Sequence, residues 1–336
     1  MTEKLIDKFR LFVINFSAGE LMENFFVSAI VSFLTIRAWL TFWGFPAVGR
    51  GEIHIAHILW GGLLMFLAVV LLLVFLNKES RQVASVIGGI GFGTFIDELG
   101  KFITHDNNYF FEPTIAIIYV VFVLLFLLIR GAERYLKFSS RDYAINALEI
   151  SKEIFFRDLD LREKQRALDL LKQSDQRDPL IKLLKKMLSE IKPQTDPKPG
   201  LISQVKALLS DFYFALVKNK TFTKLLILVF LFSSFFNLAQ AVWGLDSIKS
   251  VIDFGQLGSS IIAGILVIIG TYRLQTSKRL SAYEYYRSAI LITIFFTQFF
   301  LFYKEQLSAL VQLTNNIGIY LVVRYLITQE EVGKVV

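Results

Sequence analysis

Long apolar runs recur along this 336-residue chain and dominate what it can fold into. Two of them read "IAHILWGGLLMFLAVVLLLVFL" and "PTIAIIYVVFVLLFLLIR". A helix of about 20 apolar residues crosses the roughly 30 Å hydrocarbon core of a bilayer. Since 54% of all residues are hydrophobic, more than a soluble domain usually carries, the pattern predicts a multi-pass helical membrane protein.

We predict an all-α, polytopic membrane fold with about eight transmembrane helices, in two four-helix blocks joined by a cytoplasmic helical insert. The predicted spans cover residues 25–45, 55–76, 83–104, 113–130, 223–243, 256–273, 285–304 and 313–328. The predicted domains are an amphipathic N-terminal helix at 1–22, a first block at 23–130, the insert at 131–222 and a second block at 223–336.

The charges that flank the spans predict the orientation, because Lys and Arg accumulate in short cytoplasmic loops. The N-terminus and the loops "NKESRQ" and "RLQTSKRL" are basic, whereas the loops "THDNNYFFE" and "GLDSIKSVID" are not. Both termini are therefore predicted to be cytoplasmic, and the "GRGEIH" and "THDNN" segments are predicted to face outward.

Two amphipathic regions lie outside the spans. The apolar residues of the N-terminus recur at helical spacing, which predicts a helix on the membrane surface or, alternatively, a frayed helical tail; they are Leu5, Phe9, Phe12, Val13 and Phe16. In the insert, "YAINALEISKEIF" and "PLIKLLKKMLSEI" also have helical periodicity. The basic run 182–192 is either a solvated helix face or a surface for anionic headgroups.

The two blocks resemble a tandem repeat when the sequence is shifted by 200 residues. Trp43-Gly44 then falls on Trp243-Gly244, as printed in the sequence. The charged residues of the first block fall on neutral ones: Arg37 on Asn237, His54 on Phe254, Asp97 on Thr297, Glu98 on Gln298 and Lys101 on Leu301. Identity is otherwise low, so chance is the alternative. If the duplication is real, the first block keeps its charges for a reason other than span geometry.

The stretch "GFGTFIDELGKFITHD", residues 91–106, places several charged residues in the third predicted span. Gly89, Gly93 and Asp97 share one helical stripe at spacings of four. Because glycines let a second helix approach closely, Asp97 is predicted to face a helix–helix contact and not lipid. Glu98, Lys101 and His105 fall on an adjacent stripe.

Two accounts of these charges are open. In the first, His54, His57 and His105 bind one divalent metal (Zn, Mn or Fe) together with Asp97 or Glu98. An open coordination position could then activate water, with one carboxylate as a ligand or general base. No HExxH motif accompanies the histidines, and the absence of cysteine excludes thiolate sites.

In the second account there is no metal, and Arg37 and Lys101 neutralise Asp97 and Glu98. An unpaired charge at the centre of a membrane helix costs about 2.5–3.5 kcal/mol or more, so such a balance is expected. The three histidines would then be interfacial residues or steps in a proton path.

The motifs "HIAHILWGGLLM" and "GGIGFGTFIDELGKFITHDNNYFFEP" resemble a family of uncharacterised bacterial multi-pass membrane proteins, over roughly residues 50–130. The resemblance implies a bacterial plasma (inner) membrane location but no activity. Alkaline-ceramidase-like hydrolases share the ingredients of several histidines and an aspartate, but their histidine spacing differs from that of His54 and His57.

From the sequence we expect an integral membrane protein with a polar site near the outer leaflet, open to a metal and to hydrolysis of a lipid or small substrate. The alternatives are a proton-coupled transporter that uses the same charges as a relay, or a non-catalytic scaffold or sensor. The expected partner is the lipid bilayer. Nothing in the sequence predicts nucleic-acid binding, and it names no protein partner.

Overall fold

The computed structural model describes residues 12–43, 57–105, 111, 113–135, 138–156, 159–192, 250–276 and 278–332, with isolated positions between 208 and 232. These residues form helices and their connections, as the apolar periodicity predicts. The chain divides into two compact units. One comprises Met1–Leu99 with Leu124–Pro199, and the other comprises Gly100–Val123 with Gly200–Val336.

The first unit has two groups of helices. Its apolar helices are α1 (Ala18–Trp43), α2 (His57–Val74) and α3 (Lys78–Asp97). Two helices cross the boundary between the units, namely α4 (Leu99–Ile103) and α5 (Thr114–Tyr135). The insert contributes α6 (Ser140–Ser151), α7 (Glu153–Phe156), α8 (Leu161–Lys172) and α9 (Pro179–Glu190).

The second unit contains α10 (Val251–Gln275), α11 (Arg279–Ile292), α12 (Gln298–Glu305) and α13 (Ala309–Val332). A π-helical segment, Thr293–Thr297, joins α11 to α12. Gln306 ends α12 with a φ of 50°, the left-handed region that non-glycine residues seldom adopt. The core of this unit surrounds Tyr286 and Ile290, against which Ile319 and Val323 of α13 pack.

Five of the helical segments that the structure describes are long and apolar enough to cross a membrane. They are Ala18–Trp43, His57–Val74, Thr114–Gly131, Val251–Gln275 and Arg279–Glu330. Much of their apolar surface is exposed; Leu73 of α2, for example, is 79% exposed. A surface of this kind suits lipid and would be costly in water.

The third predicted span, 83–104, differs from the prediction because it is not one helix. It ends at Asp97, and α4 begins at Leu99. Glu98 between them has φ −88° and ψ 10°, outside the helical range, and its side chain is turned toward α2. The fifth predicted span, 223–243, lies mostly outside the described residues.

The N-terminal segment also differs from the predicted helix where it is described. Residues 12–15 are not helical, and α1 begins at Ala18. The physical reason is a set of competing hydrogen bonds: the Ile14 N–H donates to Asp142 Oδ1 at 3.1 Å, and the Phe16 N–H donates to Asn146 Oδ1 at 2.8 Å. Side chains of α6 thus replace the carbonyl acceptors of a helix. Residues 1–11 lie outside the described residues.

The insert forms a small core of its own and is tied to the first turn of α3. Ala147, Leu171 and Leu188 are fully buried in that core. Lys78 at the start of α3 donates to Glu163 Oε1 of α8 at 2.7 Å, and Arg81 pairs with Glu149 of α6. The sequence assigns both partners to the cytoplasmic side, but its pattern does not predict that they pair.

Candidate functional site

The candidate site lies where α1, α2 and α3 meet, at the end of α3 remote from the insert. Glycines position it by letting the three helices touch backbone to backbone. A Cβ on Gly93 would overlap the carbonyl oxygen of Ala29 in α1. A Cβ on Gly61 of α2 would lie 2.7 Å from the Gly91 carbonyl oxygen of α3, which is too close for any side chain.

Asp97 continues the Gly89–Gly93 stripe of α3 and points at α1, as the spacing predicts. Its carboxylate is fully buried and accepts a hydrogen bond from Arg37 Nε, and the two side chains form an ion pair. Arg37 Nη2 also donates to the backbone carbonyl of Asp97 at 2.8 Å. Since Asp97 is the last residue of α3, the guanidinium both neutralises the carboxylate and caps the negative end of the helix.

Glu98 turns to the opposite neighbour, α2. Its Oε1 accepts from the His57 backbone N–H at 2.7 Å and lies 3.0 Å from His57 Nδ1. His57 is the first residue of α2 that the structure describes, and its backbone N–H bonds a carboxylate, as the N–H groups at the positive end of a helix favour. Glu98 is fully buried, whereas the His57 side chain is 25% exposed.

We call these four residues, Arg37, Asp97, His57 and Glu98, the charged seam. Two adjacent carboxylates diverge to two different helices because the chain leaves the helical conformation at Glu98. The Glu98 carboxylate meets His57 at the positive end of α2, whereas the Asp97 carboxylate, at the negative end of its own helix, is compensated by Arg37. A buried charge is tolerated only with such compensation, so the seam holds three helices in one fixed arrangement.

The other predicted site residues are placed differently. His105 is exposed two residues beyond α4, and Lys101 is half-buried in α4. Both fall in the second unit, in the range Gly100–Val123. His54 lies outside the described residues.

Within the ranges that the structure describes, no group of three or more His, Asp and Glu residues could hold a metal ion. His57 and Glu98 do come together, but as a pair. The predicted metal set also includes His54, which is not described, so a metal stays a prediction that the experiments below address.

Sequence reasoning missed the role of His57 as an N-terminal residue of α2 that Glu98 caps. The signal was present in the order of the residues: α2 and α3 are consecutive antiparallel helices, so the start of one meets the end of the other. What could not be read from spacing is that Glu98 leaves the helix and therefore points to a different face from the one expected.

The neutral residues that the 200-residue shift aligns with Asp97 and Glu98 are buried too. Thr297 is 3% exposed and donates to Ser259 Oγ of α10 at 3.0 Å. Gln298 is fully buried, and its Nε2 donates to the Ala309 carbonyl at 2.8 Å. Both positions thus carry hydrogen-bonded polar groups between helices. Arg37's counterpart, Asn237, lies outside the described residues.

Fold and site together define an all-helical protein with several helices suited to spanning a membrane and a buried ionic contact among α1, α2 and α3. A scan against protein-family models, a search of curated proteins and a search of solved structures each found no match to this chain. The resemblance suggested by the motifs of residues 50–130 therefore stays an expectation.

Proposed function

We propose that this chain is an integral protein of a bacterial inner membrane that works as a sensor or scaffold, with α3 coupling the charged seam to the cytoplasmic insert. One observation carries the proposal: α3 makes ionic contacts at both of its ends. At one end Asp97 pairs with Arg37, and at the other Lys78 and Arg81 pair with Glu163 and Glu149. A helix held rigidly at both ends can transmit a displacement along its length.

The topology in this proposal has eight crossings, with both termini and the insert on the cytoplasmic side. Two observations support it. The 12–17 segment, the loop before α3 and the insert lie together in the first unit, as three cytoplasmic segments must. The segment Arg279–Glu330 has 52 residues, about 78 Å of helix, which is more than two bilayer thicknesses and accommodates two crossings.

Hydrogen exchange on the protein in nanodiscs tests the coupling. We expect Asp97→Asn to raise amide exchange in α6 and α8, far from the substitution, since a neutral side chain weakens the contact with Arg37. Leu73→Ala is the matched control, because Leu73 is 79% exposed on the apolar surface of α2. Unchanged exchange in α10 and α13 would show that the effect is not global unfolding. Changes confined to α1, α2 and α3 would contradict the proposal.

A second candidate, proton-coupled transport, is favoured by the His57–Glu98 pair. Glu98 is buried, whereas the ring of His57 reaches partly exposed surface, so a proton could pass between solvent and the interior through this pair. In proteoliposomes with an internal pH dye, transport requires proton flux that Glu98→Gln abolishes and Leu73→Ala preserves. Equal flux in empty vesicles and in vesicles with protein would remove this candidate.

Hydrolysis of a lipid or small substrate is a third candidate, carried over from the sequence. It needs a metal or a general base with access to water. Elemental analysis of purified protein decides it, together with its melting temperature before and after chelation. Metal-free protein with an unchanged melting temperature would end the metal-dependent form of this candidate.

A further inference from the structure

Several large apolar side chains of the insert are exposed although the domain has its own core, among them one each on α6, α7 and α8 that are taken together below. Phe155 of α7 is 88% exposed, and Leu148 of α6 and Leu161 of α8 are each 59% exposed. We call these three residues the insert patch. Single exposed apolar residues are common on soluble surfaces, so their exposure alone carries no conclusion. Their position next to the end of α2, a candidate membrane span, is informative.

The contacts of the insert place the patch next to the end of α2. Lys152 lies between Leu148 and Phe155 at helical spacings of four and three, and its backbone is helical with φ −65° and ψ −21°. The side chains of Leu148, Lys152 and Phe155 therefore share one face. Lys152 Nζ donates to the Leu76 carbonyl at 2.5 Å, directly after the last turn of α2.

Leu161 is anchored near the same boundary by a second contact. It is the first residue of α8, two positions before Glu163, whose Oε1 accepts from Lys78 Nζ at 2.7 Å. Lys78 is the first residue of α3. The two anchors of the insert thus lie at Leu76, in the short connection that follows the candidate span α2, and at Lys78, the first residue of α3.

The surface of α2 that ends at this connection is itself apolar and exposed. Leu73 and Leu76 are 79% and 74% exposed. If the insert patch faced water, two apolar surfaces that adjoin through Lys152 would lie in different solvents. Placing both surfaces in one apolar environment is more favourable, because each Å² of apolar surface removed from water contributes about 25 cal/mol.

We propose that the insert lies flat against the bilayer, with Leu148, Phe155 and Leu161 in the interfacial layer of the cytoplasmic leaflet. The occupant of this surface is lipid and not a protein partner, because the patch continues the surface of a candidate membrane span. The proposal rests on α2 crossing the membrane, but it requires neither signalling nor transport. Shallow insertion of apolar side chains is typical of membrane-surface helices.

Spin labelling of the full-length protein in phosphatidylcholine vesicles tests the proposal. The chain has no cysteine, so Phe155→Cys and Leu161→Cys provide unique attachment sites. The control is Gln173→Cys, which is exposed at the opposite end of α8, about 18 Å along the helix from Leu161. Power saturation then compares collisions with oxygen, which concentrates in lipid, and with a water-soluble nickel chelate.

We expect labels at residues 155 and 161 to show a severalfold higher ratio of oxygen to nickel accessibility than the label at 173. Equal ratios at all three positions would overturn the proposal, since the patch would then face water. Low accessibility to both reagents would overturn it in favour of a protein occupant, such as a second copy of the chain. Unchanged melting temperatures establish that the labelled variants are folded.

Discussion

The Arg37 guanidinium donates hydrogen bonds to two oxygens of Asp97. One is a carboxylate oxygen, and the other is the backbone carbonyl oxygen at the end of α3. A lysine could reach one of these acceptors at a time, whereas the planar fork of arginine engages both. The contact thereby fixes the position of α3 along α1, and it also neutralises the Asp97 carboxylate.

Loss of Arg37 should leave a buried carboxylate without its cation. We expect Arg37→Leu to lower the free energy of unfolding by about 3–5 kcal/mol, the usual cost of breaking a buried ion pair from one side. The double variant Arg37→Leu/Asp97→Leu should recover a large part of that loss. The measurement is reversible unfolding in mixed micelles.

Arg324→Leu is the control for that experiment, because Arg324 is exposed on α13. If it destabilised the protein as much as Arg37→Leu does, the effect would not come from burial. A double variant less stable than either single variant would contradict the pairwise interpretation.

The contact between α1 and α3 should be intolerant of a single methyl group. Gly93→Ala would place a Cβ against the Ala29 backbone, which cannot move aside as a flexible side chain could. We expect a loss of about 1–3 kcal/mol, typical of overpacking, together with a weakened Arg37–Asp97 contact. Gly62→Ala is the matched control, because no atom lies within 4 Å of a Cβ at that position. Equal melting temperatures for the two variants would refute close packing at Gly93.

The two bonds that His57 makes to Glu98 can be separated. His57→Ala removes the ring contact but keeps the backbone N–H that donates at 2.7 Å, whereas Glu98→Leu removes both bonds. We therefore expect Glu98→Leu to lower the melting temperature more than His57→Ala does. If a metal instead compensates Glu98, His57→Ala and His54→Ala should both reduce metal content, and a chelator should reproduce their effect on wild-type protein.

Acid should loosen the insert from α3. Partial burial raises the pKa of Glu149, but hydrogen bonds and charge from Lys152 and Arg81 outweigh it, so the pKa of this carboxyl lies below its usual range. A group whose pKa is lowered by folding contributes stability above its unfolded pKa, about 4.3, and loses it as the pH falls through the folded value. Protease cleavage of the insert should rise in that acidic window, and Glu149→Gln should flatten the dependence. If wild type and Glu149→Gln showed the same pH dependence of cleavage, the ion pairs of Glu149 would not be what holds the insert to α3.

The predicted orientation can be checked in intact cells. Cysteine at Asn107, in the loop predicted to face outward and outside the described residues, should react with an impermeant maleimide. Cysteine at Gln173 in the insert should react only after the membrane is permeabilised. The reverse pattern would invert the topology, because the distribution of Lys and Arg would then have predicted the wrong side.

The sequence by itself determined the helical class, most of the apolar helices and the direction of Asp97. Each of these follows from a local regularity: a run long enough for a bilayer, or a spacing of four that puts Asp97 on the stripe of Gly89 and Gly93. That Arg37 and Asp97 lie at a similar depth in the membrane could also be predicted by counting residues from the helix ends, because the helical rise per residue is constant.

Only the tertiary structure decided where Glu98 points and what holds the insert. Its side chain reaches His57 because the backbone leaves the helix at that residue, and a regular spacing cannot anticipate such a break. The N-terminal segment is similar: Phe12 and Phe16 have helical spacing, but Asp142 and Asn146, over a hundred residues away, take its backbone N–H groups. Partners distant in sequence override local propensity wherever they satisfy the same hydrogen bonds within a packed contact.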